Sequence, residues 1–334
     1  MSAGTPQLVV TIDVEPDRQW DGDPVLCLGN LVRLPGLHAL LHGAGARPTY
    51  LVTHSVCGDD ACAAMLSRFV HTNGCEVGAH LHPWDTPPFL PGDGTGGPKP
   101  FPTELDPGVL RAKLRSLTDA LDARVGVRAR SYRAGRWGLD GAGLRLLEEL
   151  GYRVDSSVTP LVSWAHQRGR REGSYGPSFK AAPGEPYYPD HRDVSRPGGS
   201  TVLEVPISVG FPARILDRFR SWYQRTPDRS FALRALKLWP MRLVWFRPTF
   251  TSASAMIAIG ERLLASGASV LNMAFHSSEA LPGGSPYFKT EDQVNAFLRR
   301  IEETIAHFLG RGMEPATLSE VRPPQMAERG SRRW

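Results

Sequence analysis

The chain has 334 residues, 41% of them apolar and 22% charged, which is enough to bury a sizeable core and excludes a disordered or fibrous chain. No stretch approaches the ~18 uncharged apolar residues that a membrane-spanning helix needs. The opening Met1-Ser2-Ala3-Gly4-Thr5-Pro6 lacks the basic and apolar blocks of a secretory signal. Four sparse cysteines (Cys27, Cys57, Cys62, Cys75), none in a C-x-x-C pair, exclude a disulfide scaffold. These features predict a cytoplasmic protein with reduced thiols.

In chain order, Leu8 to Ile12 is a β-rich run that ends in acidic residues. A helix is expected over Leu31 to Leu41, stopped by Gly43 and Gly45, then a buried strand over Thr49 to Thr53. A helix over Asp60 to Val70 and a strand over Glu76 to Ala79 follow. A Pro- and Gly-rich loop from Pro83 to Pro102 is ordered only if it packs on something, and so is a candidate wall of a binding site. Pro107 opens a helix with Val109, Leu110, Leu114, Leu117 and Leu121 on one face. Ala129 to Tyr132 is a strand, Leu139 to Leu150 a helix closed by Gly151, and Tyr152 to Val154 a strand. Regularity is lost from about 160 to 250, where only Val202 to Val205 reads as a strand. It returns with a helix over Ala253 to Ala265, a strand over Val270 to Phe275, a helix over Thr290 to Leu309 and a short strand over Ala316 to Leu318. Repeated β-then-α units imply parallel strands with helical crossovers, and some seven of them favour a closed barrel, here a single domain with an insertion.

The charge is unevenly placed. The whole chain carries +5, yet Ala213 to Phe250 alone holds nine basic residues against two acids. Ile215, Leu216, Phe219, Trp222 and Tyr223 in this segment form one helical stripe ringed by arginines. Such an element either lies on an anionic membrane surface, here the inner face, or packs on the main domain with its arginines solvated. No nucleic-acid-binding motif accompanies it.

Polar residues gather just past the strand ends, which a parallel barrel brings to one rim. The first strand ends in Asp13-Val14-Glu15, and the third runs into His80-Leu81-His82-Pro83-Trp84-Asp85. Later strands deliver Arg133, Asp155-Ser156-Ser157 and His276-Ser277-Ser278-Glu279. Two imidazoles and a carboxylate with open positions describe a catalytic divalent-metal site. Asp13 and Glu15, two apart on a strand, project to the same side, so one can bind metal while the other takes a proton from water. His80 and His82 share a side in the same way. Arg133 suits a bidentate grip on a carboxylate. His276, from across the rim, suits protonation of a leaving amine. The sum is metal-assisted hydrolysis of an amide.

This pattern resembles the polysaccharide deacetylases of the NodB-homology type, carbohydrate esterase family four. Their motifs appear in order as Thr11-Ile12-Asp13-Val14-Glu15, Glu76-Val77-Gly78-Ala79-His80, Tyr132-Arg133-Ala134-Gly135, Asp155-Ser156-Ser157-Val158 and Ala274-Phe275-His276. Pro48-Thr49-Tyr50-Leu51-Val52 is similar to the strand after the family's first helix. The resemblance covers roughly residues 7–160 and 250–310, and is nearest to cytoplasmic members associated with bacterial surface-polysaccharide or lipopolysaccharide genes. It implies a distorted (β/α)7 barrel, one divalent ion such as Zn2+, Co2+ or Ni2+, and N-deacetylation of a sugar or glycoconjugate. It also implies Asp13 as base, Glu15, His80 and His82 as metal ligands, Arg133 as the residue that orients Asp13, and His276 as acid. Asp155 would support His276 or Arg133, and an N–H of Arg136 or Trp137 the oxyanion. Trp84 and Trp137 are candidates for stacking on a sugar, and Glu279 for touching substrate or capping a helix. The family's second motif is usually H-x-x-x-H, whereas residue 84 here is Trp, so His82 or Asp85 must complete the metal site. The alternatives are a related imide or ureide hydrolase, or a silent glycan- or lipid-binding homologue.

Overall fold

Strands that alternate with helices pair in parallel, because each helical crossover returns the chain to the same edge of the sheet. The computed structural model describes residues 4–19, 26–93, 97–228 and 243–323 and has this arrangement. Strand β1 (Gln7–Val14) is buried along its whole length, as a central parallel strand must be. It pairs with β2 (Thr49–Val52) through Thr11 to Val14 and with β9 (Val270–His276) through Gln7 to Asp13. From β2 the sheet continues through β3 (Glu76–Leu81), β4 (Ser131–Ala134), β5 (Val154–Asp155) and β6 (Leu203–Glu204), all parallel. Strand β10 (Glu314–Ala316) pairs with Gln7 to Val9.

No regular ladder joins β6 to β9 among the described residues. Instead the Asn272 N–H donates to Ser208 Oγ at 2.9 Å, and the Asn272 amide nitrogen donates to the Val205 carbonyl at 3.1 Å. The Ser208 N–H also donates to the Asn272 carbonyl at 3.2 Å, so the barrel is a distorted (β/α)7 form whose last seam is closed by side-chain bonds and a single main-chain bond.

Helices α1 (Leu34–Gly43), α2 (His54–Gly58), α3 (Asp60–Asn73), α4 (Pro107–Ala120), α5 (Gly141–Glu149), α7 (Ala253–Ala265) and α8 (Glu291–Gly310) accompany the strands. Their starts are set by caps. Asp106 accepts from the Gly108 N–H ahead of α4, and Asp140 accepts from Ala142 and Gly143 ahead of α5. The second cap explains why α5 begins two residues later than the hydrophobic pattern implies. The α4 face of Leu110, Leu114 and Leu117 is buried in the main core.

The expected insertion is mostly irregular. Val209–Gly210 (β7) pairs antiparallel with Val244–Trp245 (β8) and closes its neck. Among the described residues of the insertion, helical structure is a 3-10 turn over Arg214–Phe219 and α6 (Arg220–Arg225). The remainder of the expected basic helical stretch, 229–242, lies outside the described residues. Among the described residues no helix is long and apolar enough to cross a membrane.

The Pro-rich loop after β3 is ordered by one buried cation. Lys113 of α4 donates to the carbonyls of Pro83, Thr86 and Pro88 at 2.7–2.8 Å and pairs with Asp93 at 3.2 Å. Lys113 and the Asp93 side chain are almost wholly enclosed. Removing Lys113 leaves three enclosed carbonyls without their donor, at about 1–3 kcal/mol for an unsatisfied buried group, while Arg170, 3.0 Å from Asp93, still compensates the carboxylate. Lys113→Met is therefore expected to lower the unfolding free energy by that order, as read from urea titration. It is also expected to expose the 83–102 loop to limited proteolysis, which gel analysis would follow.

Candidate functional site

The ladder register gathers the chemistry. Asp13 is the partner of His276 across β1 and β9, and His80 is the partner of Arg133 across β3 and β4. Side chains alternate along a strand, so Thr11 and Asp13 point together into the barrel. There they meet the fully buried Arg133. Arg133 Nη1 donates to Asp13 Oδ1 at 2.6 Å, and Nη2 donates to Thr11 Oγ1 at 2.8 Å and Ser156 Oγ at 3.0 Å. Nε donates to the Ser156 carbonyl at 2.8 Å. Burial alone would raise the Asp13 carboxyl, but Arg133, with His80 and His276, holds it below the ordinary value, so it stays ionised. Asp13 Oδ2 stands 3.9 Å from His80 Nε2 and 3.8 Å from His276 Nε2.

Beside Asp13, Glu15 Oε2 lies 3.6 Å from His80 Nε2 and 3.3 Å from His82 Nε2. The three donor atoms lie within 4.8 Å of one another, and all three residues are buried. His80 Nδ1 faces the Arg133 carbonyl at 3.0 Å, which fixes the tautomer with its lone pair on Nε2. Glu15 Oε1 is buried with no hydrogen-bond partner. An enclosed carboxylate with one oxygen, Oε1, lacking a donor and the other, Oε2, facing two imidazole nitrogens fits a borderline divalent cation. His82 approaches because residue 135 is glycine: a Cβ there would stand 2.4 Å from His82 Cδ2 and 2.5 Å from the Leu81 carbonyl.

Trp84 is stacked on His82 at 4.3 Å between ring centroids, and its Nε1 donates to Gln19. Asp85 points away and accepts from the Ser55 N–H at 3.1 Å and Ser55 Oγ at 3.0 Å. Between His82 and Asp85, the structure thus brings His82 to Glu15.

His276 is held from behind. Its Nδ1 lies 2.8 Å from Glu279 Oε1, and Glu279 also accepts from Arg247 Nη2 at 3.1 Å and Thr249 Oγ1 at 2.5 Å. Burial would raise the Glu279 carboxyl, but His276, Arg247 and Thr249 hold it down, so an anion receives Nδ1–H. Arg247 Nη2 also lies 3.0 Å from His276 Nδ1, a donor-to-donor approach that the shared Glu279 oxygen compensates. With Nδ1 so engaged, Nε2 faces Asp13 and Glu15.

Asp155 is not brought to His276. Ser156 turns inward to Arg133, so Asp155 points to the opposite face of the sheet, where its β6 partner is Glu204. Burial raises both carboxyls, Glu204 the further, so the pair retains a proton on Glu204. Asp155 accepts from Ser157 Oγ at 2.7 Å, and Ser157 Oγ in turn accepts from the Ala134 N–H at 2.8 Å. Its link to Arg133 is therefore through the main chain of β4 and β5.

These groups open into a cavity of about 460 Å³, lined also by Trp84, Lys99, Arg136, Trp137, Trp164, Phe250 and Tyr287. Arg136 and Trp137 sit in a tight turn with left-handed φ of 53° and 62°. Trp137 stacks on Trp164 at 6.0 Å. The sequence motifs contain Thr11 and Ser156 but assign them no role, and they do not include Arg247 or Thr249. The nearest signal is Arg247-Pro248-Thr249, hidden among the basic residues of the insertion.

No family model and no curated protein matches the sequence. Solved structures do match. A candidate glycoside hydrolase/deacetylase from Parabacteroides distasonis aligns over 95% of this chain and 70% of its own, with TM-score 0.57 and 13% identity. A candidate polysaccharide deacetylase from Mycobacterium smegmatis aligns over 97% of both chains, with TM-score 0.48 and 18% identity. An acetyl xylan esterase of family 4 from Clostridium thermocellum, in complex with cobalt, aligns over 94% of this chain and 89% of its own, with TM-score 0.41 and 13% identity. The likeness at TM-score 0.57 shows the fold, and this chain has the barrel of the polysaccharide deacetylase type.

Burial pushes the Asp85 carboxyl up to about 7, against hydrogen bonds from Thr53 and Ser55. The folded state thus holds this proton more tightly than the unfolded chain. The stability this gives is complete below about pH 4 and is lost as pH rises through 7. Asp85→Asn keeps a similar shape without the charge. Its stability relative to the parent is expected to rise steadily between pH 4 and pH 7–8 and then level, as read from urea midpoints across that range.

Proposed function

We propose that the chain is a metal-dependent amide hydrolase that removes an N-acyl group, N-acetyl in the first instance, from a sugar or glycoconjugate. One observation carries this reading. The Glu15–His80–His82 donor set adjoins an ionised Asp13 and an outward-facing His276 Nε2 within a single cavity.

Glu15, His80 and His82 would hold a divalent ion of the zinc, cobalt or nickel type. Such an ion polarises an acyl carbonyl and acidifies water. Asp13 accepts the proton of the attacking water through Oδ2, while Arg133 holds Oδ1 and keeps the group ionised. Water adds to the acyl carbon and the C–N bond breaks. The departing nitrogen takes a proton from His276 Nε2, leaving a free amine and a carboxylic acid. Glu279 keeps Nδ1–H engaged throughout, so the mobile proton is carried on Nε2. An N–H of the Arg136–Trp137 turn supplies the oxyanion donor. Trp84 and Trp137 offer ring faces to a sugar.

Purified protein is expected to carry about one equivalent of first-row metal and to release acetate from an N-acetylglucosamine oligosaccharide. Asp13→Asn is expected to retain the metal and lose turnover, whereas His82→Ala is expected to lose both, as read by elemental analysis and acetate assay. Metal-loaded protein that acts on no N-acylated sugar but opens a cyclic imide would redirect the substrate reading. Protein that takes up no added zinc, cobalt or nickel would overturn the reading.

A separate prediction concerns the support of the acid. Glu279→Gln replaces the anion that receives Nδ1–H by a neutral amide. It is expected to lower kcat by roughly 100-fold with KM much less affected. A variant of His276 or Arg247 combined with Glu279→Gln should add little further loss, because the three act as one unit.

A further inference from the structure

We propose that the turn over Arg214–Arg225 is a docking surface for an anionic lipid bilayer. The structure separates the two faces of this element. On the inner face, the Tyr223 hydroxyl donates to the Leu161 carbonyl at 2.8 Å and its ring meets Phe211 edge-on at 5.5 Å. Asp217 pairs with Arg262 of α7 at 2.8 Å, and Lys180 pairs with Asp228 at 2.7 Å just beyond the turn. The element is thus pinned to the body of the protein.

On the outer face, Ile215, Phe219 and Trp222 stand 54%, 50% and 47% exposed. They come from one short helical segment, the 3-10 turn and the α6 turn that continues it. Three of the nine large apolar side chains exposed among the described residues therefore occur within eight consecutive positions. The alternative in which this stripe packs on the main domain is not what the structure shows for these three. Arg218 and Arg225 flank them, both exposed and without an acidic partner among the described residues. Aromatic and aliphatic groups beside uncompensated arginines match the acyl boundary and charge of an anionic membrane.

The test needs no turnover, so it is independent of the hydrolase reading. The full chain is sedimented with phosphatidylcholine vesicles with and without phosphatidylglycerol. Binding is expected only where phosphatidylglycerol is present. Phe219→Ser with Trp222→Ser, and separately Arg218→Gln with Arg225→Gln, are each expected to weaken it by about tenfold or more. These side chains are exposed, so both double variants should keep the parent's thermal midpoint. The proposal is overturned if the parent stays in the supernatant with phosphatidylglycerol vesicles, or if the Phe219/Trp222 variant sediments as the parent does. It is also overturned if the parent ignores vesicles but forms a dimer that the Phe219/Trp222 variant loses.

Discussion

The constraint that organises this barrel is a fully buried guanidinium. An arginine cannot shed its charge in a protein, so enclosing Arg133 costs several kcal/mol unless a counter-ion and acceptors surround it. The interior is built to provide them: the Asp13 carboxylate, the Thr11 and Ser156 hydroxyls, and the Ser156 carbonyl. Asn272 extends the layer by donating to Ser156 Oγ and the Val205 carbonyl, and so ties the last seam of the barrel to the same arginine. A core designed only for stability would place aliphatic side chains here. What the polar layer provides is an Asp13 that is oriented and kept charged.

The carboxyls of the rim sort by face. Asp13 and Glu279, which serve the cavity, each meet an arginine and a histidine and are held below the usual range. Asp155 and Glu204, on the reverse of the sheet, meet mainly each other and keep a proton, as Asp85 does up to about 7. The same residue type performs two tasks. Which one depends on whether a fixed cation stands on its side of the strand.

Much of this was legible in the sequence because the period of a strand is strict. Asp13 and Glu15 share a side by alternation, and strand-end positions bring Arg133, His80, His82 and His276 to one rim. The same rule, applied across Ser156, turns Asp155 away from His276, but the two-residue strand β5 is too short for its pattern to be read from the sequence. Arg247 and Thr249 were not legible. They come from a stretch without periodicity, some 30 residues before the histidine they support, and only tertiary packing aligns them. The caps that delay α5 and the single lysine that orders the Pro-rich loop are likewise contacts that a hydrophobic pattern does not encode.

His276 and Glu279 lie on one short 3-10 turn, with Glu279 accepting both the ring Nδ1–H and the main-chain N–H of His276. The imidazole and its anchor are thus parts of one rigid knuckle, not two elements that must be docked by the rest of the fold. Breathing of the barrel rim would carry both together, so the proton donor keeps its aim even when its surroundings shift.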